Sequence, residues 1–318
     1  MKITIVGSSH GVPEANRKCT CFMIEVGENI YFVDMGTSGI DALVTRGLSP
    51  NAVKGIFITH MHGDHTNGLI PFVDLITWYF RAADPVICLP DLSLGAVIDR
   101  WLEVTLNGCQ KKIRYQKTEP GVVYDDGVLK VTAIPTEHCP DSFAFLVEGE
   151  GKRVLFTGDL RRPDADFPKG LAKDADLIIC EGAHFPATEY KPFLEEASLG
   201  RVIVNHYAPW NIPHIMELSK ALPAMKITMA YLANSEGCML NPKRFSQRRE
   251  PLMLTPMPGM MTNTSSSALT ASSASMTRPL RSTRYGTRDK NTQANAPSPT
   301  PINCFLTAES GSPAAVRG

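Results

Sequence analysis

The stretch ITHMHGDHTNG, residues 58–68, places three histidines and one aspartate within six residues, at the end of an apolar run. Their order is His-x-His-x-Asp-His, formed by His60, His62, Asp64 and His65. Histidines this close repel one another when protonated, and the chain has only 8 histidines in all. Neutral imidazoles and carboxylates are the ligands that zinc and similar metals take. The stretch therefore predicts a metal site at a strand end.

The local backbone predicts two ions rather than one. His60 and His62 are two residues apart, so in extended backbone both side chains can reach the same ion. Asp64 and His65 follow Gly63, where the chain can turn toward a second ion. Four ligands from one loop leave both ions incompletely coordinated, so other strand ends must supply the rest.

Three further ligand-type residues occupy such positions. His138 follows the apolar segment LKVTAIP, Asp159 follows RVLFTG, and His206 follows RVIVN. Each segment has the composition of a buried strand. We expect all three side chains to join the histidine-rich loop.

The first 240 residues or so alternate strand and helix signals, which predicts sheets packed together with helices outside. Predicted strands cover residues 2–7, 21–26, 29–36, 55–60, 85–90, 112–117, 129–135, 143–149, 153–159, 177–182, 201–209 and 226–234. Predicted helices cover residues 39–47, 69–83, 94–106, 190–198 and 212–222.

The last part of the chain differs in composition. Residues 243–318 are rich in Ser, Thr, Pro and Arg, lack apolar periodicity and carry a net charge of +7. Such a segment buries too little surface to offset its ordering entropy. We therefore predict one folded domain over residues 1–242 and a disordered or non-native tail over 243–318.

Charge and apolar patterning limit the partners and the compartment. Residues 1–242 carry a net charge of −7, which does not suit a long nucleic acid. The N-terminal apolar run is too short for a secretion signal, and no run of about 18 apolar residues predicts a membrane span. Eight scattered cysteines make no disulfide framework. We expect a cytoplasmic protein.

Five motifs in order resemble the metallo-β-lactamase superfamily: FVDMG, which contains Asp34, then THMHGDH, EHCP, FTGD and VNHYAP. The resemblance covers about residues 1–235 and implies an α+β fold, the αββα sandwich, with metals at the edge between two sheets. It also implies two divalent metal ions, with zinc the first choice and manganese or iron the alternatives. In this family's pattern, the first ion is bound by His60, His62 and His138, the second by Asp64, His65 and His206, and both by Asp159. Asp34 is expected to hold the histidine loop.

Two metals a few ångströms apart share a water whose pKa falls toward neutrality, and the resulting hydroxide attacks carbon or phosphorus. Asp64 is expected to accept a proton from that water, so we assign it a catalytic role. An oxidoreductase branch of the superfamily replaces the second histidine of the motif with glutamate. His62 is retained here, which favours a hydrolase.

The N-terminal GSSHGVPEANR resembles the ribonuclease Z and phosphodiesterase branch, with Gly7, Gly11, Pro13 and Arg17 in matching order. That branch also carries His-Glu-Ala-Thr where this chain has CEGAHF, residues 180–185. Cysteine replaces the histidine, Glu181 is retained, and His184 comes slightly later. We predict that His184 is a catalytic residue that protonates the leaving alkoxide, with an ordinary loop histidine as the alternative.

The substrate is predicted to be a small phosphodiester. Ribonuclease Z inserts a long tRNA-binding arm between the third and fourth motifs, but here His138 and Asp159 are only 21 residues apart. With the acidic body, this spacing disfavours tRNA processing. The sequence leaves the oligomeric state open between a monomer and a homodimer, which is common in the family.

A lactonase that opens acyl-homoserine lactones is the alternative, since that branch shares the metal motifs and the short spacing. It places a tyrosine soon after the bridging aspartate, where this chain has Arg161 and Arg162, whose planar guanidinium groups suit phosphate. Trp78, Tyr79 and Phe80 could line an apolar substrate pocket or belong to the core. A non-catalytic scaffold is disfavoured, because all seven ligands are present.

Overall fold

A computed structural model describes residues 1–105, 111–197 and 201–230. The predicted tail over 243–318 and the end of the predicted strand over 226–234 lie outside the described residues. Within the described ranges, no helix has the length and apolarity needed to cross a membrane.

The first sheet has six strands in the order β1-β2-β3-β4-β5-β6. Its first three strands are antiparallel, and β3 to β6 run parallel. The strands are β1 Lys2–Gly7, β2 Cys21–Val26, β3 Asn29–Met35, β4 Val53–Phe57, β5 Val86–Leu89 and β6 Arg114–Lys117.

The second sheet has seven strands in the order β13-β12-β11-β10-β9-β8-β7. Strands β7 to β10 form an antiparallel meander, and β10 to β13 are parallel. The strands are β7 Gly121–Asp125, β8 Lys130–Thr136, β9 Ser142–Gly149, β10 Lys152–Phe156, β11 Leu177–Gly182, β12 Arg201–Tyr207 and β13 Lys226–Met229.

Helices cover the outer faces of both sheets. The helices are α1 Gly39–Val44, α2 Gly63–Thr66, α3 Leu69–Trp78, α4 Ser93–Thr105, α5 Pro163–Asp166, α6 Lys169–Ala172, α7 Lys191–Ala197 and α8 Ile212–Ala221. Buried residues of α1, α3 and α4 pack with the first sheet, and those of α7 and α8 pack with the second. A third apolar cluster, which includes Phe22, Phe57, Phe145 and Phe156, fills the space between the sheets. The predicted αββα sandwich is confirmed.

The structure differs from the sequence prediction in several elements: β4 and β10 end at Phe57 and Phe156 rather than at residues 60 and 159, and the short helices α2, α5 and α6 were not predicted. Helix α3 ends at Trp78 rather than at residue 83, because the chain must turn back over the next seven residues to enter β5. Strand β7 was not predicted, since only Val123 of its five residues is buried and its alternation is weak. Strand β12 ends at Tyr207 rather than at residue 209, with His206 inside the strand.

Candidate metal centre

Seven side chains from four separate segments meet at one edge of the sandwich, where strands of both sheets end. They form two groups whose potential ligand atoms lie within 4.8 Å of one another: His60, His62, His138 and Asp159, then Asp64, His65 and His206. These seven residues are the same ones that the sequence predicts as metal ligands. Their ligand roles remain a prediction, but their convergence is a property of the fold.

The first group is closely spaced. Nε2 of His60 lies 3.0 Å from Nδ1 of His62, and Nε2 of His138 lies 3.3 Å from the same nitrogen. Oδ2 of Asp159 lies 3.6 Å from Nε2 of His60 and 3.7 Å from Nε2 of His138. Three imidazole nitrogens and one carboxylate oxygen thus surround one point.

The second group lies beside the first, with Asp159 between them. Oδ2 of Asp64 is 3.5 Å from Nε2 of His65 and 3.6 Å from Nε2 of His206. Oδ1 of Asp159 is 3.5 Å from Nε2 of His65, and its Oδ2 is 3.3 Å from Nε2 of His206. One carboxylate therefore contacts both groups, as expected for a bridging ligand.

The donor atoms fit divalent metal ions in number, chemistry and spacing. Ligands about 2.1 Å from a tetrahedral zinc ion lie about 3.4 Å from one another, which is close to the distances in both groups. Nε2 of His65 and Oδ1 of Asp159 are buried and have no hydrogen-bond partner among the described residues. Buried polar atoms normally have a partner, so these two atoms have the surroundings expected of metal ligands.

Asp34 and Thr59 orient His65 and His60 through contacts with their Nδ1 atoms, on the side of each ring away from the other ligand atoms. Oδ2 of the buried Asp34 lies 2.8 Å from Nδ1 of His65, and its Oδ1 accepts a 2.8 Å hydrogen bond from the backbone N–H of Thr59. The Thr59 hydroxyl contacts Asp34 and lies 3.1 Å from Nδ1 of His60. Such partners fix the ring orientation of a ligating histidine. The expected role of Asp34 agrees with these contacts.

The N-terminal loop holds His206. Nδ1 of His206 lies 2.9 Å from the carbonyl oxygen of Ser9 and 2.8 Å from the hydroxyl of Thr20. The guanidinium of the buried Arg17 lies over the ring of Tyr207, at 4.0 Å, and donates a 2.9 Å hydrogen bond to the Tyr207 carbonyl. Arg17 therefore fixes this loop to the end of β12, next to a histidine whose φ is +46°.

Two glycines permit the close backbone contacts beneath the site. A Cβ at Gly36 would lie 1.6 Å from the carbonyl oxygen of Asp64, so only glycine lets the histidine loop pack against the end of β3. Gly158 has φ +59°, and a Cβ there would lie 2.7 Å from the carbonyl oxygen of Phe143. It precedes Asp159 and allows the turn that brings this carboxylate between the two groups.

Burial and neighbouring charge shift the pKa values of three of these residues in different directions. Burial lowers the pKa of His60 to about 2, so its imidazole is neutral. Burial opposes ionisation of Asp159, but the charges of His206 and His65 hold the pKa of Asp159 well below its usual value. Burial would lower the pKa of His65, yet Asp159 and Asp34 raise it well above the ordinary value. Asp159 and Asp34 thus favour positive charge in the space between the ligand-type residues, where a metal ion would bind.

His184 extends from the loop after β11 toward the same centre. Its Nε2 lies 3.9 Å from Oδ2 of Asp159, and its Nδ1 lies 2.9 Å from Oε1 of Glu181. Burial would lower the pKa of His184, but the hydrogen bond and charge of Glu181 outweigh it and raise the pKa to about 9. Cys180 is fully buried in the core, so His184 is the histidine that this segment directs toward the site.

Other predicted contributors have different surroundings. Arg161 and Arg162 are exposed and form ion pairs with Glu137 at 3.1 Å and Glu189 at 2.7 Å. The pocket beneath the seven ligand-type residues is lined by residues of both sheets and by none of the Trp78–Phe80 segment. Trp78 and Tyr79 are 47% and 66% exposed, so they belong to neither this space nor the core.

The sequence prediction did not identify the orienting roles of Ser9, Thr20 and Thr59. Ser9 acts through its backbone carbonyl, and Thr20 and Thr59 act through their hydroxyls. Serine and threonine are common throughout the chain, so no sequence pattern marks these three positions. Thr20 and Thr59 do lie next to a strand, as the ligands do. That position was the only signal available, and many other residues share it.

The two packed sheets, the outer helices and the histidine-rich strand ends define a metal-dependent hydrolase of the metallo-β-lactamase superfamily. A family model described as "Anti-Pycsar protein Apyc1" matches residues 1–195, and the chain belongs to that family.

Curated relatives are hydrolases of the same superfamily. The chain is 25% identical over 228 residues to the "Probable metallo-hydrolase YhfI" of Bacillus subtilis, which covers 67% of this chain and 88% of the relative. It is also 25% identical to a "Ribonuclease Z" of Exiguobacterium over 60% of this chain and 64% of the relative. The crystal structure of human tRNase Z, short form, has a TM-score of 0.57 and 20% identity, covering 73% of this chain and 96% of that chain. This structural likeness establishes the fold alone.

Proposed function

We propose that the chain is a dinuclear metal-dependent phosphodiesterase that hydrolyses small phosphodiesters, with zinc as the preferred metal. The observation that carries the proposal is the position of His184, which faces Asp159 between the two ligand groups and is paired with Glu181. Phosphodiester hydrolysis expels an alkoxide, and a protonated histidine beside the reacting centre can supply the proton this alkoxide needs.

Each ligand group has a separate task in this proposal. Two bound divalent ions would activate a water and stabilise the negative charge that develops at phosphorus. The carboxylate of Asp64 is partly exposed, so it can accept a proton from an incoming water as well as ligate an ion. Asp159 keeps the two groups at a fixed separation, which sets where the phosphate binds. Imidazole and carboxylate donors suit zinc, with manganese or iron as alternatives.

His184 is suited to act as the general acid. Glu181 is buried and accepts hydrogen bonds from the backbone N–H groups of Leu160 and Ala183, so its carboxylate is rigidly held. Its pairing with Nδ1 leaves Nε2 of His184 free to donate toward the site, and the raised pKa keeps the ring protonated at neutral pH. The side chain is 36% exposed, so a substrate can reach it.

The size of the substrate is inferred from the short connection between ligands. The residues between His138 and Asp159 are occupied by strands β9 and β10, which leaves no inserted arm for gripping a folded RNA. The name of the ribonuclease Z relative denotes cleavage of a phosphodiester, which supports the bond type. The acidic charge of residues 1–242 disfavours long nucleic acids.

A substrate panel tests the bond type. The zinc-loaded full-length protein is assayed on bis(p-nitrophenyl) phosphate, an acyl-homoserine lactone, a thioester and a β-lactam. We expect diester hydrolysis to exceed the other three. Lactone turnover well above diester turnover would contradict the proposal and favour the lactonase. None of the contacts described at the site favours that activity.

A leaving-group comparison tests His184. In His184→Ala, hydrolysis of a diester with an alkyl leaving group should fall by at least about tenfold more than hydrolysis of bis(p-nitrophenyl) phosphate, because p-nitrophenolate departs without a proton. His214→Ala is the matched control, since His214 packs beside Trp210 on the outer helix α8. Equal losses on both substrates would remove His184 from the chemistry.

A further inference from the structure

The ring of His138 is supported differently from the rings of the deeper histidines. His60, His65 and His206 each place Nδ1 against a hydroxyl, carboxylate or carbonyl oxygen. Among the residues that the structure describes, none forms a hydrogen bond with Nδ1 of His138, whose Nε2 contacts His62. Besides contacts of its ring with other histidines of the site, the position of His138 depends on the backbone of its own loop.

The carboxylate of Asp166 binds that backbone. Oδ2 of Asp166, at the end of α5, accepts a 2.8 Å hydrogen bond from the N–H of Glu137, the residue before His138. The same oxygen accepts a 2.9 Å hydrogen bond from the N–H of Arg161, two residues after Asp159. One side chain thus joins the loop that carries His138 to the loop that carries Asp159.

Other bonds in this region do not replace Asp166. The hydroxyl of Ser142 bonds the backbone of Thr136 and Cys139, but these residues belong to the same β8–β9 hairpin. The Arg161–Glu137 ion pair also spans the two loops, but both side chains are more than half exposed. Exposed ion pairs hold geometry weakly. The backbone bonds to a half-buried carboxylate are the firmer connection.

We propose that Asp166 is a positioning residue for the first ligand group: it sets the separation between His138 and Asp159 and thereby the affinity of the ion these residues share. The inference rests on the metal centre of the proposed function, but not on the identity of the substrate. Removal of Asp166 frees the His138 loop to move, and Asp64, His65 and His206 keep their own supports. Binding of one ion weakens while binding of the other is retained.

Zinc titration of metal-free, full-length protein against a competing chromophoric chelator tests this inference without any substrate. Asp166→Ala should weaken one of the two zinc-binding steps by at least about tenfold, the size typical of outer partners of metal ligands, and leave the other within about twofold. Asp166→Asn, which keeps one acceptor oxygen, should fall between Asp166→Ala and the unaltered protein. The asparagine variant also provides the measurement if the alanine variant does not fold.

Two comparisons distinguish positioning from a general loss of charge or stability. Asp164→Ala removes the same charge from the same helical turn, but Asp164 is 73% exposed and, among the described residues, forms an ion pair with Arg162 alone, at 3.6 Å. It should leave both zinc steps unchanged. In the double variant His138→Ala with Asp166→Ala, zinc binding should be no weaker than in His138→Ala alone, because Asp166 acts through His138.

Three results would overturn the inference. They are zinc affinities of Asp166→Ala within twofold of the unaltered protein, equal weakening of both steps, and additive losses in the double variant. Failure of the proposed function is a separate result: intact binding of two zinc ions without hydrolysis of any phosphodiester.

Discussion

The two ligand groups are neighbours that share Asp159, yet they are built into the molecule in different ways. In the second group, the side chains of His65 and His206 are only 1% and 5% exposed. In the first group, His62 is exposed and the side chain of His138 is 11% exposed. The second group is buried apart from Asp64, which is 16% exposed, whereas the first group extends from the buried His60 to the exposed His62 at the rim of the sandwich.

The supports follow the same division. The second group is held by β3 through Asp34 and by the N-terminal loop through Ser9, both of which are almost fully buried. The first group depends on His60 from the core and on loops joined by Asp166. Rigid, buried partners preorganise a site more strongly than surface loops do. We therefore expect the second ion to bind more tightly and the first to exchange more readily.

The largest loss of metal and of turnover is expected at Asp159, the residue that both groups share. Asp159→Ala removes a ligand-type residue from both groups and leaves four buried or half-buried histidines without its charge. We expect loss of both ions by elemental analysis and a fall in turnover of at least about a thousandfold, since the ions supply several kcal/mol of barrier reduction. Retention of two ions per chain in this variant would show that Asp159 bridges neither group.

Asp64→Ala should separate the two groups. The change removes one ligand and the expected proton acceptor from the second group, while the first keeps all its members. Turnover of bis(p-nitrophenyl) phosphate should fall by at least about a hundredfold, and the metal content should fall by about one ion per chain. Asp41→Ala, on the exposed side of α1, is the control. Loss of both ions would contradict the division into two groups.

A smaller effect is expected at the support behind the second group. In Asp34→Asn the side chain keeps its shape but loses the charge that faces His65. Zinc affinity of the second group should fall by about 10- to 100-fold, and that of the first should stay nearly constant. Asp126→Asn is the matched control, since Asp126 also accepts several hydrogen bonds, from Tyr31 and from backbone N–H groups, but far from the ligands. A lower zinc affinity in the first group alone would show that Asp34 supports the first group rather than the second.

The same contrast explains what could be predicted from the sequence. The convergence of the seven ligand-type residues was predictable, because histidines and aspartates at the ends of apolar strands make a pattern that chance rarely produces. The fold followed from the same pattern, and the sandwich with its outer helices is confirmed. The differing burial of His62 and His65 was not predictable, since both occupy the same short motif. It depends on the turn at α2 and on the packing of Gly36, which only the tertiary structure fixes.

Single residues that position the ligand-type side chains could not be predicted from the sequence either. Asp166 lies in the run PDADFP beside Asp164, and nothing in the composition distinguishes the two carboxylates. Only the structure places one of them against the backbone before His138 and leaves the other in solvent. The end of α3 was missed for a similar reason: the apolar run continues past Trp78, but the path of the chain into β5 ends the helix there.

The smallest effect is expected from removal of residues 243–318. All seven ligand-type residues lie at or before His206, and the apolar clusters that hold both groups are formed by residues up to Ile227. The removed segment is rich in Ser, Thr, Pro and Arg, a composition that buries little apolar surface. A chain ending at residue 242 should therefore keep its melting temperature within about 2 °C, its two zinc affinities and its turnover. A large drop in melting temperature would mean that the segment packs on the body. If the loss fell on one ligand group alone, it would identify the group that the segment supports, and the division between a deep and a rim site would then depend on residues beyond the sandwich.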